Sequence, residues 1–376
     1  MSYWRMPWNR NIGPIGLDLG ADSPRAMQVR HGDDAPRTTM EVSIDPAADL
    51  VQRAIVAANG LRRARFVGRE VVVGLPSSVA RMHVARLPVL AGVDAREAIA
   101  WEAAERTAMS REALVADAIA TGAPSALGEA KEEQLVVAAP VDQLEQAFAA
   151  LLAAGFDPIA AEPRFLAVAR ALSRRARRDA DVGNVRAVLH VEHHGACIMV
   201  LRGDRIAFCR EIPVGGETFN HAVATRLGVS IEAATALRAH RMAAARGVAS
   251  AVEVVAEEAA LAATRATIDA LANELALCLR YYGVSFRGGQ PSRVVLSGPE
   301  ASEPRLAEIV EEATRAEVGS YEREMPSSVG TPATASRVSS DFAPWITAYG
   351  LACRAPVEAA RVGAGSGSAR MERSAA

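Results

Sequence analysis

Twice along this chain, from Ile15 and again from Ala187, an apolar run, a turn and a returning apolar run open a segment that a helix later follows. In the first instance Gly16-Leu17-Asp18-Leu19-Gly20 is a strand-like run broken by one aspartate. Gly20-Ala21-Asp22-Ser23-Pro24 has turn chemistry, and Ala26 to Val29 is extended again. In the second, Ala187-Val188-Leu189 reads as a strand, His193-His194-Gly195 as a turn and Cys197 to Leu201 as the return strand. A tight turn at Gly203-Asp204 then leads to a third strand, Ile206 to Ile212. This weak internal duplication is carried by architecture rather than by residues. It predicts the same strand–turn–strand unit in both halves of the chain.

Apolar spacing predicts helices over 47–59, 94–109, 142–154 and 165–172, then 216–227, 231–246 and 254–282. Gly60 is expected to end the first helix. Asp94, with Glu97 three residues on, is expected to cap the second. Val71-Val72-Val73, Leu135 to Ala139, Pro158 to Ala161 and Arg293 to Ser297 read as strands; Arg81 to Val84 alternates as an exposed edge strand would. The stretch up to Lys131 reads as polar loop. Leu261, Ile268, Leu271, Leu275, Cys278, Leu279 and Tyr282 form one stripe, the mark of a core-facing helix rather than a cofactor box. A closing helix is expected from Ile346 to Cys353, after a Ser/Thr/Pro-rich loop over about 326–340.

The chain has 376 residues, half of them apolar and 5% aromatic, which suits a soluble, helix-rich α/β protein of two ordinary domains. A net charge of −2 provides no global attraction for nucleic acid or an anionic membrane. The local run Arg174-Arg175 with Arg177-Arg178 reads as an exposed helix end. Cys197, Cys209, Cys278 and Cys353 lie far apart without CxxC pairing, so they read as small buried thiols of a reducing compartment. The apolar stretch Ala147 to Phe156 is far short of the ~20 residues that a membrane helix needs. Met1 to Pro14 lacks the apolar centre of a signal peptide, and a cytoplasmic location is expected. Trp4 and Trp8 lie in a segment read as an arm folded back on the body, with contact to a partner or membrane surface as the alternative.

A strand ending in Asp-x-Gly, a small polar turn and a returning strand have a chemical use. The turn presents successive backbone N–H groups to phosphate oxygens, and the aspartate can hold a Mg²⁺ through water. Asp18, Gly20, Ala21, Asp22 and Ser23 have this form, and Arg25 adds a cation. Asp18 is the candidate metal residue. A buried aspartate that merely caps a turn would give the same pattern.

The order of further segments resembles the PilM family of actin-like pilus-assembly proteins, relatives of the cell-division protein FtsA. Ile15 to Val29 is similar to that family's opening phosphate hairpin. Leu75-Pro76-Ser77-Ser78 with Leu87-Pro88 is similar to its "LPSS…LP" segment, and Glu97 to Ala103 to its "EAI-W-E" helix. Val136 to Pro140, Ala154-Gly155-Phe156 and Glu162 match the rest of an inserted subdomain. Arg210 to Gly216 resembles "R-I-x-x-G-G", and Tyr349-Gly350-Leu351-Ala352 a final "GLA". The resemblance implies an actin-like (ribonuclease H-type) two-domain α/β fold with a small inserted α/β subdomain. Residues 1–14 would be an arm, 15–89 with 156–182 the first domain, 90–155 the insert, 183–356 the second domain and 357–376 a disordered tail.

It also implies ATP with Mg²⁺ as cofactor, bound with the help of Gly215, Gly216, Arg238 and Gly298. Three segments depart from the family pattern. His190-Val191-Glu192 stands where Asp-Ile-Gly is usual. Gly298 is followed by Pro299 and Glu300 rather than further glycines. Ala234-Thr235-Ala236-Leu237-Arg238 replaces Ala-Glu-x-x-Lys. Histidine in place of an acidic group weakens Mg²⁺ holding, and Glu192 would repel phosphate, so no catalytic residue is assigned. An alternative takes His190, Glu192, His193 and His194 as a metal cluster, since His190 and Glu192 point the same way on a strand.

The family resemblance implies a scaffold of a type IV pilus or type II secretion platform. Its partners would be the cytoplasmic tail of a PilN-like inner-membrane protein and other platform proteins, with self-association a further option and no nucleic acid. Location would be cytoplasmic and peripheral on the inner membrane, with membrane contact indirect. The alternative is an active ATPase or phosphotransferase of sugar-kinase or chaperone type on the same fold.

Overall fold

The computed structural model describes residues 12–20, 22–30, 36–45, 47–121, 131–174, 184–245, 254–285, 289–321 and 342–354. Trp4, Trp8, Ala21, the Arg175–Arg178 run, the 326–340 loop and the tail lie outside them.

The chain opens with β1 (Ile12–Asp18), β2 (Arg25–Arg30), β3 (Pro36–Glu41), α1 (Leu50–Arg63) and β4 (Glu70–Leu75). Then come β5 (Arg81–Pro88), α2 (Gly92–Thr107), β6 (Leu114–Ala120), β7 (Lys131–Pro140) and α3 (Val141–Ala153). After β8 (Asp157–Pro163) and α4 (Arg164–Ser173) the first plan starts again: β9 (Val185–Val191), β10 (Ala196–Arg202) and β11 (Arg205–Ile212). The chain continues through α5 (Gly216–Leu227), α6 (Ile231–Ala245), α7 (Val254–Ser285), β12 (Arg293–Ser297), α8 (Leu306–Thr314), β13 (Glu317–Ser320) and α9 (Ile346–Ala352).

The duplication seen in the sequence is real at the level of topology. One sheet has the order β3-β2-β1-β4-β8 and the other β11-β10-β9-β12-β13. In each, three antiparallel strands are followed by two strands parallel to the first of them. A third sheet, β5-β7-β6, is antiparallel throughout and enters the chain between β4 and β8.

Helix boundaries follow local chemistry, with two corrections to the sequence reading. Gly60 does not end α1, which runs on to Arg63. Its start is fixed by Asp49, whose carboxylate accepts from the Gln52 amide at 2.8 Å while Gln52 returns the bond at 3.0 Å. Asp94 is not a cap: α2 begins at Gly92 after an uncapped Ala91, so Asp94 lies in the first turn, where its charge faces the helix dipole. The predicted polar loop before Lys131 contains β6. The α7 stripe packs as predicted, with Ile268, Leu271, Leu275, Cys278, Leu279 and Tyr282 all buried and Leu261 half-buried.

One buried cluster spans the two five-stranded sheets, beside a separate core belonging to each. Met27 and Val29 of β2, Val168 and Leu172 of α4, Val188 of β9, Met199 of β10, Val295 of β12 and Ile346 of α9 belong to the spanning cluster. All four cysteines are free and buried, as expected, with the Cys197 and Cys209 sulfurs 3.3 Å apart across β10 and β11. No helix among the described residues is long and apolar enough to cross a membrane.

Candidate functional site

Equivalent hairpins of the two sheets converge, as the family resemblance implies. The turn after β1 and the turn after β9 line one cavity of about 480 Å³, together with Ser77, Arg164 and Pro344. Gly20, Asp22 and Arg25 from the first hairpin and His190, Glu192, His193 and His194 from the second all border it.

Asp18 ends β1 wholly buried, and its Oδ1 accepts the Gly20 amide at 2.9 Å. Its other partner is Arg164, the first residue of α4. The Arg164 Nε lies 2.8 Å from Asp18 Oδ1, and Nη2 donates to Oδ2 at 2.9 Å. On its far side the same guanidinium donates through Nη1 to Glu192. One arginine thus joins the end of the first phosphate-type hairpin to the end of the second. Glu192 also accepts from His190 Nε2 at 2.8 Å, and His190 Nδ1 pairs with the buried Ser297 hydroxyl at 2.7 Å.

The charges explain the titration of the group. Burial by itself would raise the Glu192 carboxyl. Arg164 and the hydrogen bond from His190 outweigh it and hold the group at about 2. Burial likewise disfavours the charged Arg164, but Asp18 and Glu192 overcome that and raise it. Burial pushes the Glu211 carboxyl up, opposed by a 2.6 Å hydrogen bond from Ser77, which reaches it across the cleft.

The remaining predicted residues split into two places. Arg25 pairs with Glu41, with its Nε donating at 2.9 Å, and Ser23 lies half-buried in the turn outside the cavity lining. Gly215, Gly216, Arg238 and Gly298 lie directly behind the second hairpin, about the N-terminus of α5: the Gly216 amide donates to Glu192 O at 2.9 Å, and a Cβ on Gly298 would run into Val191 O. Arg238 is buried and donates to Gly216 O at 3.0 Å, to Asn220 at 2.6 Å, and to Glu300 and Glu303 at 2.7 Å each. A Cβ on Gly216 would lie 2.6 Å from the Glu300 carboxyl carbon, and one on Gly20 2.9 Å from Arg164 Nε. Gly20 and Gly216 are therefore in contact with the protein's own charged side chains, whereas Gly215 and Gly298 meet the backbone of the second hairpin. Gly298 holds a φ of 95°, which glycine adopts without strain.

The four-residue metal cluster is not assembled. His190 and Glu192 face Ser297 and Arg164, whereas His193 and His194 face Asp22 on the opposite hairpin. Sequence reasoning missed Arg164 altogether. It follows a proline at a strand-to-helix junction, and its partners are 146 and 28 residues away.

Two like-built sheets about a shared cleft, with a three-stranded insert in the first, define an actin-like protein. The type IV pilus assembly protein PilM model matches residues 43–356, and the chain belongs to that family. A solved PilM-PilN type IV pilus biogenesis complex is similar over 91% of this chain and 98% of that one, with a TM-score of 0.70 at 19% identity. MreB 5 of Spiroplasma citri bound to AMPPNP is similar over 95% of this chain and 99% of that one, with a TM-score of 0.51 at 10% identity. No curated protein matches the chain.

Proposed function

We propose that this PilM-family protein is a cytoplasmic scaffold of a type IV pilus or related secretion platform, with a cleft held by internal ion pairs rather than by nucleotide. The observation that carries this reading is Arg164, which sits between Asp18 and Glu192 and supplies the positive charge that a metal ion would bring. Behind the second hairpin, Arg238 with Glu300 and Glu303 fills the space beside Gly216. A magnesium nucleotide does not fit this arrangement, and catalysis has no part in the reading. The division into domains 15–89 with 156–182, 90–155 and 183–356 is kept with it.

The partner surface we assign is a second cavity of about 890 Å³, between the inserted sheet, α4 and the β10–β11 turn. Ile119, Val137 and Leu166 give it an apolar floor, and Asp117, Arg170 and Arg205 a charged margin. β6 is an edge strand of its sheet. An extended tail from a PilN-like membrane protein, laid along that edge, would gain main-chain hydrogen bonds there.

Calorimetric titration with the cytoplasmic tail of the PilN-like protein from the same system tests this. Saturable binding that Ile119→Arg weakens at least tenfold is expected, with no ATP turnover. Failure of every such tail to bind, or steady ATP hydrolysis, would overturn the scaffold reading.

A further inference from the structure

At the mouth of the cleft, three side chains converge that the ion-paired interior does not use. The Asp22 carboxylate from the β1–β2 turn stands opposite His193 and His194 from the β9–β10 turn. His194 Nε2 lies 3.6 Å from Asp22 Oδ1, and His193 Nδ1 lies 3.9 Å from Oδ2. The three ligand atoms all fall within 4.8 Å of one another. Zinc bonds to imidazole nitrogen and carboxylate oxygen of about 2.0–2.2 Å place tetrahedral neighbours roughly 3.3–3.6 Å apart. The pair at 3.6 Å already has that spacing, and the widest separation among the three must close by roughly an ångström.

A fourth residue separates this set from a chance gathering of polar groups. Glu217, in the first turn of α5, lies 3.2 Å from His194 Nδ1. A carboxylate on the far nitrogen fixes the tautomer that leaves Nε2 free as a ligand, the usual outer support of a histidine that binds zinc. The donor set of two imidazoles and one carboxylate suits borderline dications such as Zn²⁺ or Co²⁺, and not Mg²⁺, which prefers an all-oxygen shell.

We infer that Asp22, His193 and His194, supported by Glu217, form a binding site for a zinc-class dication that bridges the two hairpins across the cleft. All three ligands border the 480 Å³ cavity, so the fourth coordination position opens toward it, near Arg25 and Arg164. Water or a small anion would complete the tetrahedron. Because Asp22 belongs to the first sheet's hairpin and the histidines to the second's, the ion ties the halves together. The site does not depend on the scaffold reading.

The test is titration of Zn²⁺ into the metal-stripped full chain, repeated with Co²⁺ to read visible d–d absorption. One site of tetrahedral character is expected. Asp22→Ala and His194→Ala should each weaken it at least tenfold, and Glu217→Gln by about tenfold. His240→Ala, at an exposed position on α6, should leave it unchanged. These are turn or surface positions, and circular dichroism will show that the variants fold. The inference is overturned if the chain takes up no Zn²⁺, or if Asp22→Ala binds as tightly as the parent, since the two histidines alone would then suffice.

Discussion

Arg164 sits with 12% of its side chain exposed between Asp18 at 0% and Glu192 at 19%, so water screens the three charges little. Removing one member of such a group leaves the others buried and uncompensated, at a cost of about 3–5 kcal/mol. Arg164→Ala should therefore lower the urea midpoint at pH 7 by the equivalent of that loss. Acid should erase part of the difference. The folded Glu192 carboxyl is held at about 2, below its usual 4.5, so its pairing stabilises the protein fully above pH 4.5 and is lost as pH falls toward 2. Parent and variant midpoints measured from pH 7 to pH 3 should converge below pH 4.5. A gap that stays constant over that range would mean that Glu192 is not the group Arg164 holds. The two hairpins were legible in the sequence because turn chemistry and alternating burial are local. Arg164 was not, because its role depends on where β8 and α4 bring it.

α9 shows how an element can be found in a sequence and its purpose missed. Its apolar run and the closing Gly350-Leu351-Ala352 predict a helix, and every residue from Ile346 to Ala352 is buried. Why glycine stands at position 350 appears only when α4 is in place: a Cβ there would lie 2.5 Å from the carbonyl carbon of Ala167. Gly16 meets α9 in the same way, since its Cβ would lie 2.8 Å from Leu351 Cβ and closer still to the α9 backbone. These neighbours are largely backbone and cannot rotate aside, so overpacking should cost about 3 kcal/mol or more. Gly350→Ala should lower the thermal midpoint by several degrees, whereas Gly289→Ala, which meets no atom within 4 Å, should leave it unchanged. Equal midpoints for the two variants would contradict the packing of α4 on α9. β6 escaped notice for the opposite reason. Only Leu114 is buried in it, and its alternation is too weak to stand out from a loop.

At the scale of the whole molecule, shared packing and insertion have different consequences. The two matched sheets look like separable halves, yet β2, α4, β9, β10, β12 and α9 contribute to one core, and Ser77 reaches Glu211 across the cleft. Opening one sheet exposes the apolar face of the other, so the central strands should unfold together. The outer layer of the insert has its own small core around Ala85, Leu87, Ala103, Leu114, Val136 and Ala138. α2 covers it with a single buried residue, Ala103, and leaves Val93 and Trp101 exposed. An element that buries so little can open without the rest. Native-state hydrogen exchange should accordingly give β2, β9, β10 and β12 one common, highest opening free energy, and α2 a clearly lower one. Separate opening free energies for β2 on one side and β9, β10 and β12 on the other would divide the shared core into two units, and protection of α2 equal to these strands would join the insert to it.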